Sequence, residues 1–318
     1  MAVQGPSDVL RCRNCGQQLR VPDLGKELHI TCPRCNHQFT HDQASATRSR
    51  GAGAPSAKFS RLSAAGEQTA MWFGIGAVAL TMLLLAYIGT WLLLPILVAF
   101  TAIVVWVQQS QLIGGAVKVS PSQFPEINAA AELAAARLDM KRPDIFVHFS
   151  PVLNAAAIGC FGKKSVVLHS ALVEAMSPKE LLTIIGHEFT HIKCGHTTLL
   201  VLLNPAAGIG IPVISHILQF VFRWWSRKAE YTADRGGLLA SRDPTSVLSA
   251  FCKLAVGPEL FKKMMIMDFI EQAGDLDRSR LAKLSETLMT HPYLVRRVHG
   301  IREFYASEAY RDLVAYRS

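Results

Sequence analysis

The most informative pattern in this chain is the uneven distribution of its apolar residues. Two runs, Met71–Val107 and Thr197–Phe222, contain no Lys, Arg, Asp or Glu. The first run is too long for one straight helix across a bilayer, because a single span takes about 20 residues. It therefore predicts a transmembrane helical hairpin over residues 69–109 that turns near Gly89 or Pro95. A single buried core helix is the alternative, and the length and purity of the run disfavour it.

Residues 118–318 show the mixed patterns of a folded domain. Helical periodicity covers Phe124–Met140, whereas β-branched and apolar residues predict strands at Ile145–Phe149 and Ser165–His169. Leu153–Cys160 is a third candidate strand. We therefore expect a mainly α domain with a small β-sheet.

Residues 1–41 carry two Cys-x-x-Cys pairs with sixteen residues between them, which is the spacing of a zinc ribbon. Four thiolates form a closed structural zinc site, and a redox dithiol is the less favoured alternative. A module this small has little core, so zinc is expected to supply its folding energy. The remaining cysteines are scattered, which disfavours a disulfide framework. The predicted zinc ligands are Cys12, Cys15, Cys32 and Cys35, and the scattered cysteines are Cys160, Cys194 and Cys252.

Residues 42–68 are rich in Ala, Ser, Gly and Arg and predict a flexible linker. Its basic residues lie just before the first apolar run, so the positive-inside rule places the linker in the cytoplasm. The net charge of +9 could also indicate nucleic-acid binding. We disfavour nucleic acid as a partner because no basic stripe is interleaved with aromatic residues. The basic residues of the linker are Arg48, Arg50, Lys58 and Arg61.

The sequence His187-Glu188-Phe189-Thr190-His191 matches H-E-x-x-H and follows a predicted helix start at Ser177. Residues four apart on a helix share a face, so both imidazoles can reach one zinc ion. Glu188 is then placed to take a proton from a water that zinc activates for attack on a peptide carbonyl. A chance match with two surface histidines is the alternative.

Two positions compete as the third zinc ligand. His196 lies roughly 140° around the helix from His191, which predicts a residue at the helix end or one that supports a ligand. Glu230 and Asp234 are four residues apart in a later helical segment. Glu230 could bind zinc while Asp234 accepts a hydrogen bond from a ligand imidazole. An exposed acidic face is the alternative for this pair.

The motifs HEFTH, EYTAD and His291-Pro292, with Arg297 downstream, together resemble the HtpX and CAAX prenyl endopeptidase family of membrane zinc metallopeptidases. The resemblance covers residues ~120–300 and implies a zincin-like fold. It implies that His187, His191 and Glu230 are zinc ligands, that Glu188 is the general base and that Asp234 supports a ligand. It also implies that Asn154, Ala155 and Ala156 bind the substrate backbone. We expect Ala156, Ala157 and their neighbours to form an exposed strand edge that faces the zinc, so that a proline at Ala156 removes an edge N–H. His291 is implied as a catalytic residue at the metal or the oxyanion, with Arg297 as its support.

These patterns together predict an integral membrane zinc endopeptidase with one catalytic and one structural zinc ion. Its expected partners are protein or peptide substrates and the lipid bilayer, and membrane or misfolded proteins are the expected substrates. The sequence leaves the partner of the ribbon open. We expect the ribbon and the catalytic domain to face the cytoplasm at the cytoplasmic membrane. An inactive membrane-tethered binding protein is the rival function, and Glu188 argues against it.

If His191 and Glu230 bind one ion, the apolar run between them crosses the bilayer an even number of times. Two spans need about 40 residues, so Thr197–Phe222 is too short for them. Prolines and glycines over Asn204–Pro212 also interrupt a continuous helix. We expect a pair of short helices that either re-enter the bilayer or pack at its surface.

Overall fold

The chain divides into two compact units, Met1–Phe59 and Ser60–Ser318. The computed structural model describes residues 7–11, 18–22, 27–35, 38–42, 61–87, 89, 92–159, 163–203, 212–271, 279, 281, 285–286, 289 and 291–315.

The first unit contains two antiparallel β-hairpins. Strand β1 (Ser7–Arg11) pairs with β2 (Gln18–Pro22), and β3 (Glu27–Thr31) pairs with β4 (Gln38–Asp42). Each Cys-x-x-Cys pair falls in the connection between the two strands of one hairpin. Among the predicted zinc ligands, Cys32 is buried and Cys35 is half-buried, whereas Cys12 and Cys15 lie outside the described residues. The four-cysteine site therefore stays a prediction.

The first apolar run forms two helices in the second unit, α1 (Glu67–Tyr87) and α2 (Leu93–Gly114). The break falls where the sequence predicts it, and Gly89 adopts a φ of +74°, a conformation that glycine accepts without strain. Among the described residues, one helical stretch, Glu67–Leu84, is long and apolar enough to cross a bilayer. A shorter apolar stretch lies at Val98–Gly114.

The end of the predicted linker, from Arg61 onwards, is part of the second unit and is packed within it. Leu62 is fully buried, and the backbone N–H of Ala64 donates to Thr232 Oγ1 over 2.7 Å. The guanidinium of Arg235 donates to the carbonyl of Ser63 over 2.7 Å. Residues 43–60 of the predicted linker lie outside the described part of the chain. These contacts fix the position at which α1 begins.

A four-stranded mixed sheet has the order β5-β6-β8-β7, in which β6 and β8 are parallel and the other pairs are antiparallel. Three strands correspond to the sequence prediction, and the short strand β5 is additional. The sequence did not predict β5, because three residues are too few to show the alternation of apolar and polar residues that indicates a strand. The strands are β5 (Ala116–Lys118), β6 (Asp144–His148), β7 (Ala155–Ile158) and β8 (Ser165–His169).

Helices make up most of the second unit, so the chain is mainly helical with a small mixed sheet, as predicted. The helices after β5 whose bounds the structure describes include α3 (Pro125–Leu138), α4 (Ser170–Ala175), α5 (Pro178–Lys193), α6 (His196–Leu203), α7 (Pro212–Ser241), α8 (Pro244–Val256), α9 (Pro258–Phe261), α10 (Leu294–Ala306) and α11 (Glu308–Ala315).

Helix α5 begins with the predicted capping box. Ser177 Oγ accepts from the Glu180 N–H, and a Glu180 carboxylate oxygen accepts from the Ser177 N–H over 2.7 Å. Pro178 occupies the first turn, where its missing N–H costs nothing. The cap fixes the start of α5, and the H-E-x-x-H motif lies in its C-terminal half.

The second apolar run differs from its prediction in one respect. Its first part forms α6, residues 204–211 lie outside the described residues, and its last part begins α7. Helix α7 is not short, because it continues for 30 residues to Ser241. It therefore joins the apolar segment directly to Glu230 and Asp234.

Candidate metal centre and catalytic cleft

Three metal-binding side chains from α5 and α7 converge in one place. His187 Nε2 and His191 Nε2 lie 3.1 Å apart, and Glu230 carboxylate oxygens lie 3.6 Å and 3.5 Å from them. The two histidines meet because they are one helical turn apart on α5. All three ligand atoms lie within 4.8 Å of one another. The motif in α5 and the later acidic pair therefore converge as the sequence predicts.

The chemistry of this donor set fits a catalytic zinc ion. Two imidazole nitrogens at this distance, with a carboxylate facing both, are placed as neighbouring ligands of one cation. The ligand side chains are largely buried, with exposures of 12% for His187 and 8% for Glu230. Two histidines and one glutamate leave the fourth position of a tetrahedral zinc site open for water or substrate.

Asp234 and Arg297 form a second layer behind the ligands. Asp234 Oδ1 lies 3.0 Å from His187 Nδ1, the ring nitrogen that faces away from the other ligands. Arg297 pairs with both carboxylate oxygens of Asp234, and its Nη1 lies 3.3 Å from Glu230 Oε2. A carboxylate on the outer nitrogen of a ligand histidine fixes its tautomer and ring orientation. Arg297 thus contacts Asp234 and Glu230, whereas the resemblance implied a supporting role towards His291.

His291 approaches the same centre from the connection before α10. Its Nδ1 lies 3.2 Å from Glu230 Oε1, and its side chain is 66% exposed. It is therefore the solvent-facing member of the cluster, at the mouth of the cleft. That position allows contact with a substrate that enters from solvent.

Glu188 lines a cleft of 590 Å³ that also contains the three ligand side chains. It is 8% exposed and accepts a hydrogen bond from the backbone N–H of Ala157 in strand β7. Asn154, Ala155 and Ala156 line the same cleft. The acid beside the ligands and the predicted substrate strand therefore share one cavity.

The register of β7 determines which of its backbone groups face the cleft. The His169 N–H donates to the Asn154 carbonyl over 3.0 Å, so the backbone of Asn154 forms its hydrogen bonds with β8. Every second residue of an antiparallel strand faces the same partner, so the backbone of Ala156 also faces β8. Ala155 and Ala157 direct theirs to the free side of β7, the edge strand of the described sheet. The expectation that Ala156 supplies an edge N–H is therefore wrong, because residues alternate between the two sides of a strand.

Two further side chains join the centre behind His191. His191 Nδ1 lies 2.9 Å from His196 Nδ1, and His196 Nε2 lies 2.7 Å from Glu67 Oε1. His196 therefore supports a ligand, which is one of the two roles that the sequence predicts for it. Glu67 escaped sequence reasoning, although a carboxylate at the start of a charge-free run was a usable signal.

The charges around the two glutamates set their pKa values in opposite directions. Burial raises the pKa of Glu188, and the Glu230 carboxylate reinforces this rise against the opposing effect of His187. Burial alone would also raise the pKa of Glu230, but Arg297, His291 and the ligand histidines hold it well below its usual range. Glu230 is therefore an acceptor-only carboxylate suited to a cation, whereas Glu188 is suited to exchanging a proton.

Comparison with known proteins identifies the domain that carries this centre. The model of peptidase family M48 matches residues 121–304. The plastoglobule-localized metallopeptidase 48 of Arabidopsis thaliana is 33% identical over 220 residues, which cover 64% of this chain and 63% of that protein. A protease HtpX homolog of Moorella thermoacetica is 29% identical over 232 residues, which cover 59% of this chain and 75% of that protein.

A solved structure, Ste24p of S. mikatae, is 17% identical, with a TM-score of 0.44 over 74% of this chain and 63% of that chain. The chain thus spans less than two thirds of the length of the plant metallopeptidase. The M48 model nevertheless matches more than half of the chain and includes the H-E-x-x-H motif and the acidic pair of α7. This chain therefore belongs to peptidase family M48.

Proposed function

We propose that this chain is a membrane-anchored zinc endopeptidase. The observation that carries the proposal is the single cleft that combines His187, His191 and Glu230 with an acid, Glu188, and a free strand edge. A binding protein has no need of a buried carboxylate beside three metal ligands, since its burial is costly.

His187, His191 and Glu230 would hold the zinc ion, and Asp234 and Arg297 would hold His187 and Glu230 in place. When bound there, zinc supplies Lewis acidity that polarises the scissile carbonyl and activates water. Glu188 takes the proton from the attacking water and returns it to the leaving amide nitrogen. Its raised pKa strengthens Glu188 as the base in the first of these transfers.

The edge of β7 would hold the substrate in an extended conformation by β-augmentation. The N–H and carbonyl of Ala155 face the free side of the strand, whereas the N–H of Ala157 is engaged by Glu188. Small side chains at Ala155 and Ala156 allow a close approach of the substrate backbone, and Asn154 lines the same cleft. His291, at the mouth of the cleft, would donate a hydrogen bond to the developing oxyanion.

We propose that α1 and α2 anchor the protein in a bilayer. Large apolar side chains of α1 lie exposed, including Trp72 at 65%, Phe73 at 62% and Leu80 at 69%. Helix α2 adds Phe100 at 65% and Trp106 at 68%. An apolar surface of this kind is disfavoured in water and suits lipid. Membrane or misfolded proteins would then be the substrates, with the ribbon and the catalytic domain on the cytoplasmic side.

The decisive test replaces Glu188 with Gln in the purified full-length protein and measures zinc content and peptide hydrolysis. Glu188 is not a ligand, so the variant should keep its catalytic zinc while its turnover falls by about 10²–10⁴. A chelator should abolish the activity of the parent protein. Near-normal turnover in the Glu188→Gln variant would exclude Glu188 as the general base, and an inactive parent protein would favour the binding-protein alternative.

The ribbon would hold a second, structural zinc ion through Cys12, Cys15, Cys32 and Cys35. The position of both Cys-x-x-Cys pairs in hairpin connections supports this proposal. We expect two zinc ions per chain by elemental analysis. Replacing Cys12 and Cys15 with Ser should remove one ion and leave peptide hydrolysis largely intact. A single zinc ion in the parent protein would show that one of the two sites is wrong.

A further inference from the structure

A buried hydrogen-bonded chain runs from the ligand His191 to the start of the first apolar helix. His191 Nδ1 contacts His196 Nδ1 at 2.9 Å, and His196 Nε2 contacts Glu67 Oε1 at 2.7 Å. The other oxygen of Glu67 accepts from Ser63 Oγ at 2.8 Å and from Thr232 Oγ1. His196 is 1% exposed and Glu67 is 7% exposed, so water does not replace these partners.

The direction of each hydrogen bond follows from the side of His191 that faces the other ligands. Because Nε2 points at His187 and Glu230, the ring proton of a ligating His191 lies on Nδ1. That proton is donated to His196 Nδ1, which places the proton of neutral His196 on Nε2. His196 then donates to Glu67, which also accepts the hydroxyl hydrogens of Ser63 and Thr232. Each hydrogen-bond donor in this series of side chains thereby has an acceptor.

We propose that His196 and Glu67 are positioning residues that hold His191 in its ligating orientation. The inference rests on the proposed zinc site. It gives His191 an outer hydrogen-bond partner, as Asp234 is the outer partner of His187. His187 has a carboxylate, Asp234, directly on its outer nitrogen. His191 instead has an imidazole, and the carboxylate that completes the arrangement lies one residue further away.

The position of Glu67 shows which part of the protein the hydrogen bonds from His191 connect to. Glu67 is the first residue of α1 and lies outside residues 121–304, which match the M48 family model. His196 begins α6, and its ring also packs edge-on against Trp225 of α7. The orientation of His191 therefore depends on the docking of α1 against α6 and α7. Displacement of α1 removes the acceptor from His196 and loosens a metal ligand.

The test measures zinc affinity by chelator competition in the full-length protein in detergent, together with the electronic spectrum of its Co²⁺ form. Outer partners of ligand histidines affect metal affinity by about 10- to 100-fold. We expect losses in this range for Glu67→Ala and His196→Leu, and a shifted Co²⁺ spectrum. Glu67→Gln should lose less, because its amide oxygen still accepts from His196. Gln68→Ala is the matched control, since Gln68 is an exposed neighbour in the same turn.

A second pair of variants separates positioning from mere stabilisation. In His196→Asn the side-chain oxygen replaces Nδ1 as acceptor for His191, whereas in His196→Gln the amide nitrogen keeps the donor to Glu67. The Asn variant should bind zinc more tightly than the Gln variant. If folded variants all bind zinc as the parent does, or if both lose affinity equally with their thermal stability, the inference is wrong. A parent protein that binds no more zinc than His187→Ala would instead overturn the proposed function itself.

Discussion

At the scale of single residues, the alternation of hydrogen bonds along β7 decides which residues can hold a substrate. The N–H of Ala155 points to the free edge, whereas that of Ala156 belongs to the ladder with β8. A proline at either position removes one N–H, but the consequences differ. The two residues therefore form a natural pair of variants.

We predict that Ala155→Pro raises KM for peptide hydrolysis, because a substrate strand loses a donor. Ala156→Pro should instead lower the melting temperature, because it breaks a bond between β7 and β8. Loss of one hydrogen bond corresponds to about 0.5–1.5 kcal/mol, or roughly a 2- to 10-fold change in KM. Steady-state kinetics and thermal unfolding of both variants check this. Wild-type KM in a folded Ala155→Pro protein would exclude β-augmentation at this edge.

The sequence predicts which side chains lie together wherever the partners are one helical turn apart. His187 and His191 share a face of α5, and Glu230 and Asp234 share a face of α7, because residues four apart are neighbours on a helix. The pairing of His196 with Glu67 was not predictable, since 129 positions separate them in the sequence. Such contacts depend on tertiary docking, which no local pattern encodes.

At the scale of elements, the site depends on the close approach of α5 and α7. A Cβ atom added at Gly236 would lie 1.7 Å from Thr190 Oγ1, and one at Gly186 would lie 2.3 Å from the Cβ of Ala240. Only glycine permits the helices to pack at this distance. Since α5 carries His187 and His191 and α7 carries Glu230, the spacing of the ligands is set by these glycines.

We predict that Gly236→Ala separates the two helices and weakens zinc binding as well as stability. Overpacking of this kind costs typically 1–3 kcal/mol. Gly76→Ala is the matched control, because a Cβ there has no neighbour within 4 Å and alanine favours a helix. Thermal unfolding with and without zinc would measure both effects. Equal stability of the two variants would show that the α5–α7 contact adapts without moving the ligands.

The limits of element prediction are also visible in α7. Two prolines and two glycines over Asn204–Pro212 predict an interruption, because proline disrupts a helix interior, and residues 204–211 lie outside the described part of the chain. The predicted length of α7 was wrong, because the change from apolar to charged residues suggested that the helix ends there. The helix instead continues through this change to Ser241. Its apolar turns and the turns that carry Glu230 belong to one rigid element of 30 residues. Composition changes along a helix therefore mark a change of environment and need not mark its end.

At the scale of the whole molecule, the metal site constrains how the chain can cross a bilayer. His191 and Glu230 lie on opposite sides of the second apolar run in sequence, yet they meet at one centre. The chain between them must then cross the membrane an even number of times, and it is too short for two spans. Applied to the proposed α1–α2 hairpin, the same reasoning predicts the ribbon and the catalytic domain on one face of the bilayer and the α1–α2 turn on the other.

We predict the outcome of cysteine labelling in sealed membrane vesicles, with the other cysteines replaced. Native Cys194 is exposed and reports the position just after His191, and Lys228→Cys reports the position just before Glu230. Both should be labelled from the cytoplasmic face only, because their neighbours bind one ion. Tyr87→Cys, at the end of α1 and 89% exposed, should be labelled from the opposite face. Labelling of residues 194 and 228 from different faces would exclude Glu230 as a ligand or the even crossing number. Labelling of residue 87 from the cytoplasmic face would exclude the hairpin and leave α1 and α2 at the membrane surface.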